Sequence, residues 1–419
     1  MRLPHYLLFK YYFRFLRLII SLATWGFSLK RQPSILGMLL RNHIKRPEWL
    51  YYPAVELEPV KRLTVRPRRE PDAGDLRLCE RLIAAYHAAC REAAPLETAS
   101  ALWKRVVNKR YQALSEALDA GNPRVLADLL AVMFQQDFLY GISSAQLGLD
   151  SAAATFVRIT AVEQLLSLAE SLALVRTETP EQGILGYGLS EGLPSLVQKI
   201  EQHLGMTIDF PEVGGAYGLQ IGATLVTPES PEHIYVAARI NEAIGRYLQG
   251  SHEPLRIVEI GAGFGGTAYW FSRLCKREVA SYTIIDLPLM NVCQGYFLAK
   301  AFGLEQVQLH GETPSPAARF QVIPPHAKAR SIGQKFQILI NENSMPEMPE
   351  SVVKDYLSWA KAGLTHLFYS YNQEAYSPAD GVPQTLVPKA VSEVAGYQRL
   401  SRNYSWVRRG YVEEIYSVK

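Results

Sequence analysis

Residues 255–276 read LRIVEIGAGFGGTAYWFSRLCK, and this stretch decides the architecture. Residues 255–260 are a short β-branched run bounded by Pro254 and Gly261, the pattern of a strand buried on both faces. Gly261, Gly263 and Gly265 strip side chains from the turn that follows, and an amphipathic segment comes next. Strand, glycine turn and helix therefore succeed one another within ~25 residues, as in a nucleotide-binding βα unit. Glycines let a ligand approach the backbone, and the helix start beyond them offers N–H groups without intrahelical partners. Glu259 stands one residue before the strand ends. A second strand, VASYTIID, ends in Asp286, where a carboxylate is placed to accept both hydroxyls of a ribose.

Those features suit either NAD or S-adenosylmethionine. A dinucleotide site favours the GxGxxG form, with pyrophosphate on the helix N-terminus. Here the order is Gly261, Ala262, Gly263, Phe264, Gly265, Gly266, preceded by the acidic Glu259. A carboxylate at that point fits a cationic, amino-acid-bearing ligand better than a pyrophosphate. The pattern VEIGAGFGG followed by IIDLP resembles the first and second motifs of class I S-adenosylmethionine-dependent methyltransferases, over roughly residues 231–419. The resemblance implies an α/β fold with a Rossmann-like seven-stranded sheet whose last strand runs antiparallel. It also implies S-adenosylmethionine as cofactor, held by Glu259, Gly261, Ala262, Gly263, Gly265, Asp286, Leu287 and Asn341. On this plan QVQLH is the third strand, KFQILIN the fourth, THLFYSYNQ the fifth, and YQRLSRN with GYVEEIYSV the closing pair. Ligands of open α/β sheets bind outside the carboxyl ends of the strands, which singles out residues 261–265, Asp286, His310, 341–347 and 371–373.

The run NENSMPEM at residues 341–348, taken with VEIGAGFGG, is similar to bacterial sugar O-methyltransferases found with surface-polysaccharide genes. That resemblance implies a glycan or lipid-linked sugar as acceptor. Methyl transfer to a hydroxyl needs the acceptor oxygen in line with the sulfonium methyl and a base to take its proton. Glu342, following the fourth strand, is the first candidate for the base and Glu347 the second. His310 is a third, because histidine is most easily tuned near neutral pH. Asn343 and Tyr217 are candidate substrate contacts. Plainer roles stand beside these: Glu342 or Glu347 as a cap on the helix starting near Pro349, and His310 as a loop residue bonded to backbone. No cluster of aspartates follows the fourth strand, so no metal is expected. A non-catalytic scaffold or cofactor sensor, and methylation of a small molecule or protein, remain as alternatives, because function resides in the site rather than the fold.

Upstream, residues 75–174 carry apolar residues at helical spacing, broken at Pro95, at residues 121–123 and near Gly141 and Gly148. An α-helical domain over residues 71–230 is expected. Its glycine-rich end, residues 183–227 with Tyr187 and Tyr217 beside glycines, reads as a lid, an acceptor-binding element or a linker. The four cysteines form no CxxC, so neither a zinc finger nor a disulfide scaffold is supported, and a reduced, cytoplasmic setting is the default.

Charge is unevenly spread. The chain of 419 residues has a net charge of +4, yet residues 1–70 hold 14 Lys or Arg against 4 Asp or Glu, leaving the remainder at −6. Residues 5–31 interleave Tyr and Phe with Lys10, Arg14, Arg17 and Lys30, and a second basic cluster spans Lys61, Arg62, Arg66, Arg68 and Arg69. Rings at the headgroup boundary with cations on lipid phosphates would hold such a segment at an anionic membrane surface, on the inner face of the cytoplasmic membrane. The plainer alternative is a helix packed on the body. The longest uncharged apolar stretch, residues 18–29, has 12 residues, short of the ~20 needed to span a bilayer. RNA-binding signatures are absent and no nucleic-acid partner is expected. The sequence names no oligomeric state.

Overall fold

The computed structural model describes residues 63–93, 100–139, 151–177, 191–331, 335–374 and 384–418. The aromatic-basic segment through Arg62 and the stretch around Tyr187 lie outside the described residues.

The chain first forms a two-residue strand, β1 (Thr64–Val65), and then helices α1 (Ala73–Glu92), α2 (Ala101–Arg110), α3 (Gln112–Asp119), α4 (Pro123–Leu130), α5 (Ser151–Ser171) and α6 (Leu193–Leu204). Local chemistry fixes several of these ends. Asp72 caps α1 by accepting from the N–H groups of Gly74 and Asp75, and the Asp75 carboxylate reaches back to the Asp72 N–H. Asn122 caps α4, with Pro123 at its first position. Leu78, Leu82 and Tyr86 recur every four residues along α1 and bury its inner stripe. Each fully buried side chain of this kind contributes ~1.5 to 3 kcal/mol.

Residues 191–227, the described part of the stretch read as a lid, an acceptor-binding element or a linker, carry regular structure. They form α6 and the hairpin β2 (Tyr217–Ile221) with β3 (Thr224–Val226), and β2 pairs antiparallel with β1. The helical segment therefore contains a small sheet that helical periodicity did not reveal. Gly218 has no room for a side chain, because a Cβ there would overlap the backbone of Val226. Tyr217 is fully buried in this sheet.

Next come α7 (Ser230–Tyr247), β4 (Leu255–Ile260), α8 (Gly266–Leu274), β5 (Val279–Ile285), α9 (Pro288–Phe302), β6 (Val307–Leu309) and β7 (Phe320–Ile323). The chain ends with β8 (Phe336–Glu342), α10 (Glu350–Gly363), β9 (Leu364–Gln373), α11 (Val387–Glu393), β10 (Tyr397–Tyr404) and β11 (Tyr411–Val418). Eight strands form one sheet in the order β10-β11-β9-β8-β4-β5-β7-β6. The strands from β6 to β9 pair in parallel, and β11 runs antiparallel to both its neighbours. This is the class I methyltransferase sheet with one strand added at its edge.

The added strand corrects the sequence reading. QVQLH was expected as the third strand, but that place beside β5 belongs to β7, with Tyr282 opposite Phe320. QVQLH supplies β6, the outermost strand, paired only with β7 among the described residues. Phe320 is the reason: it is fully buried and its ring packs against those of Tyr282 and Phe302.

Helices cover both faces of the sheet. On one face a single apolar core runs from the helical segment (Leu78, Leu165, Phe210) through α7 to α9 and onto Ile257, Ile284 and Ile340. On the other, Val258, Ile260 and Leu339 pack under α10 and α11. The helical segment is thus a layer on the sheet that shares its core. No helix of the described residues is long and apolar enough to cross a membrane.

Candidate functional site

Strand parity brings three acids together. Side chains alternate between faces along a strand. Glu259 shares the face of Leu255 and Ile257, Asp286 that of Tyr282 and Ile284, and Glu342 that of Ile338 and Ile340, and all of these apolar residues belong to one core. The acids stand at the carboxyl ends of neighbouring strands β4, β5 and β8, the end at which open α/β sheets bind ligands.

Glu259 is buried, and its Oε2 accepts from the Tyr282 hydroxyl at 2.7 Å. Burial pushes its carboxyl up to about 7 against that hydrogen bond, with the nearby Asp286 adding to the rise. Asp286, just past β5, accepts from the Leu287 N–H at 2.8 Å and from Gln294 Nε2 at 2.7 Å. Burial raises it to about 7 as well, although these donors and the Ala262 N–H work the other way. Gln294 also donates to the Gly263 carbonyl at 2.9 Å, so one fully buried amide ties the glycine turn to the acid on the next strand.

The glycines are needed for two reasons. Gly261, Gly263 and Gly265 all have positive φ (72°, 57° and 95°), which L side chains rarely adopt. A Cβ at Gly261 would also overlap Ser344, and one at Gly266 would overlap the His233 ring. Ala262, between the first two glycines, is 8% exposed and reaches Asp286 through its N–H. Leu287 is the N-cap of α9, whose first position accepts Pro288 because an N–H there would have no intrahelical partner.

Glu342 ends β8, 6% exposed. Its Oε2 accepts from the Thr267 hydroxyl in the first turn of α8, and its Oε1 is buried without a hydrogen-bond partner. Burial, reinforced by the charges of Glu232 and Glu259, holds its carboxyl well above the usual range. Next to it, Asn343 adopts φ 59° and donates to Glu232 Oε1 at 3.3 Å, while its own Oδ1 is buried and unpartnered. Glu232, in the first turn of α7, meets Arg408 Nη1 through both oxygens at 3.1 Å. Burial opposes the Glu232 charge, but Arg408, His233 and Asn343 together hold its carboxyl below the ordinary value. The Arg408 guanidinium lies 4.1 Å over the Tyr411 ring. Burial lowers His233 to about 4 against the pull of Glu232, so its ring is neutral at pH 7.

The other expected residues fall in different places. Asn341 is fully buried and its amide is occupied: Nδ2 donates to the Ile260 carbonyl at 2.9 Å and to Ser344 Oγ at 2.6 Å, and Oδ1 accepts from Asn372 at 2.9 Å. It pins the turn after β8 to the end of β4. Glu347 accepts from Trp103 Nε1 of α2 at 2.7 Å, and burial raises its carboxyl. The helical layer therefore reaches the site through Trp103. Neither Glu342 nor Glu347 caps α10, which has no side-chain cap. Tyr217, an expected substrate contact, is buried in the small sheet.

His310 is displaced from the acids. It follows β6, four strands from β8, or ~19 Å at the usual strand spacing. It cannot share an acceptor hydroxyl with Glu342. Its Nε2 lies 3.2 Å from Glu92 Oε1 at the end of α1.

Sequence reasoning missed Thr267, Glu232, His233, Gln294 and Arg408. Thr267 was within reach, since it follows the glycine turn directly. Glu232 and Arg408 lie 176 positions apart and carry no local signature.

No protein-family model matches the chain, and no curated protein matches it. Solved structures overlap it in part. The N-methyltransferase NodS from Bradyrhizobium japonicum WM9, in complex with S-adenosyl-L-homocysteine, is 13% identical with a TM-score of 0.32, over 46% of this chain and 88% of that one. A cyclopropane-fatty-acyl-phospholipid synthase-like protein from Lactobacillus casei is 11% identical with a TM-score of 0.32, over 46% and 94%. Magnesium protoporphyrin IX methyltransferase from Synechocystis PCC 6803 is 11% identical with a TM-score of 0.29, over 45% and 86%. Strand order, not these overlaps, fixes the fold.

Proposed function

We propose that this chain is an S-adenosylmethionine-dependent methyltransferase that methylates a sugar hydroxyl in a glycan or its lipid-linked precursor. One observation carries the cofactor reading: Glu259, Asp286 and Glu342 crowd one end of the sheet, and Arg408, the cation that acts on Glu342, is engaged by Glu232. Crowded, buried carboxylates are costly to ionise unless a cation joins them. S-adenosylmethionine supplies an ammonium and a sulfonium, plus ribose hydroxyls for Asp286. A pyrophosphate would add to the excess of negative charge.

In this reading Gly261, Gly263 and Gly265 bring the turn's backbone against the cofactor, and Glu259 faces its amino-acid end. Glu342 takes the proton from the acceptor hydroxyl as the methyl group moves, and Thr267 fixes its orientation. Its unpartnered Oε1 is the atom available for that proton. A sulfonium held beside Glu342 would favour its ionised form and so prepare it as the base. Asn343 Oδ1 is available to accept from a second hydroxyl. Support for a sugar acceptor is the resemblance of NENSMPEM to the sugar O-methyltransferases. The aromatic-basic segment, outside the described residues, would hold the enzyme at an anionic membrane surface where lipid-linked acceptors are concentrated.

Incubation of the chain with S-adenosylmethionine and candidate surface glycans, followed by mass spectrometry, should show the mass gain of one methylene. Glu342→Gln should lose ~10²- to 10⁴-fold in turnover with cofactor affinity nearly intact. Turnover of Glu342→Gln at a tenth of wild type or more would remove this residue as the base. Cofactor binding without methylation of any glycan would favour a sensor or another acceptor class.

A further inference from the structure

Three side chains of separate elements converge at the sheet edge, away from the acids of the proposed active site. Glu92 is the last residue of α1, His310 follows β6, and His326 lies in the short turn Pro325–Ala327 after β7. One ligand atom from each, all three lying within 4.8 Å of one another, could reach a shared ion. We propose that Glu92, His310 and His326 bind one divalent transition-metal ion of the zinc class, tying the end of α1 to the outer strands of the sheet.

The spacing fits. His310 Nε2 lies 3.2 Å from Glu92 Oε1, and His326 Nε2 lies 3.5 Å from Glu92 Oε2. Tetrahedral zinc with ligands at 2.0 to 2.2 Å sets neighbouring ligand atoms ~3.4 Å apart. The two imidazole planes stand at 88° with centroids 5.7 Å apart, so both rings turn their Nε2 atoms toward one carboxylate without stacking. A simple ion pair needs only one histidine. A divalent metal ion would bind both imidazoles as neutral ligands, with the Glu92 carboxylate as the charged one.

The donor set also selects the ion. Imidazole nitrogen suits zinc, cobalt, nickel and copper, while calcium and magnesium favour oxygen ligands. The side chains are 12%, 21% and 34% exposed for His310, His326 and Glu92, sheltered yet open to an entering ion. A small, mostly apolar cavity lined by Tyr86, Ala89, Pro288 and Asn291 borders His310. The sequence reading expected no metal because it sought one after the fourth strand; this trio lies 218 and 234 residues apart along the chain, at Glu92, His310 and His326.

Cobalt titration of the full chain, freed of metal by chelation and dialysis, tests this without recourse to methyl transfer. One equivalent of Co²⁺ should bind, with visible d–d absorption of a low-coordinate nitrogen and oxygen site, and Zn²⁺ should displace it. His310→Gln and His326→Gln should each weaken Co²⁺ binding by ~100-fold or more while the far-ultraviolet circular dichroism stays native. Should either variant misfold, Glu92→Gln at the half-exposed helix end takes its place. Absence of stoichiometric binding to the wild-type chain would overturn the proposal. So would equal binding by the wild type and the folded variants, or a sulfur-to-cobalt charge-transfer band, which would put the ion on a cysteine.

Discussion

Raising the pH from 6 to 7 should tighten S-adenosylmethionine binding, and the structure sets the size of the effect. Glu259 and Asp286 each sit at about 7 in the ligand-free chain. A cation favours their ionised forms, so binding releases the protons they hold. For a group with pKa 7 that is fully ionised in the complex, the affinity penalty is ~11-fold at pH 6 and ~2-fold at pH 7, a gain of ~5-fold per carboxylate. Both groups together predict ~30-fold, or ~2 kcal/mol. The ligand's own amine, with an ordinary value of ~7.7 to 8.0, stays protonated across this interval and does not mask the effect. Calorimetric titration in buffers of different ionisation enthalpy counts the released protons directly, with about one per site expected at pH 7 and close to two at pH 6. Asp286→Asn should cut the pH effect to ~5-fold. Affinity that stays flat or falls between pH 6 and 7 in the wild-type chain would refute the electrostatic argument.

The same acids act on stability. Their raised values mean that the folded, ligand-free chain holds more protons than the unfolded one, so stability is fully present below the unfolded carboxylate range near 4 and is lost as pH rises through about 7. The melting temperature without ligand should fall between pH 5 and 8, and S-adenosylmethionine should recover most of the loss; a melting temperature that rises over this range would contradict the assignment. Methyl transfer should be lost as pH falls, because Glu342 as the proposed base accepts a proton only when ionised, and a pH–rate profile of Glu342→Gln lacking that limb would check it. Gly266→Ala should cost ~1 to 3 kcal/mol in denaturant unfolding, since the new methyl meets the His233 ring. Arg408→Met should cost ~3 to 5 kcal/mol in the same assay by stranding the buried Glu232, and Glu232→Gln in the Arg408→Met background should restore part of it.

The centre of the fold was legible because its signals are local. Strand β4, the glycine turn and α8 are contiguous, and their punctuation by Pro254 and the three glycines admits few readings. The edge was not. Residues QVQL and FQVI are equally strand-like, and only packing of Phe320 against Tyr282 decides which one pairs with β5. The hairpin β2–β3 was hidden likewise, because its partner β1 lies about 150 positions upstream. Within the site, Glu259, Asp286 and Glu342 could be found by their places at strand ends. Arg408 and Gln294 act through contacts that only the folded chain creates, and the amide of Asn341 is spent on backbone that no sequence pattern links to it.

The most direct test of the central claim is a calorimetric titration of the full chain, side by side, with S-adenosylhomocysteine and with NAD. One equivalent of S-adenosylhomocysteine should bind, NAD should not, and Asp286→Ala should weaken the first by ~10-fold or more through loss of its bonds to the ribose hydroxyls. Binding of NAD in preference, or of neither, would contradict the reading of the glycine turn from which it started.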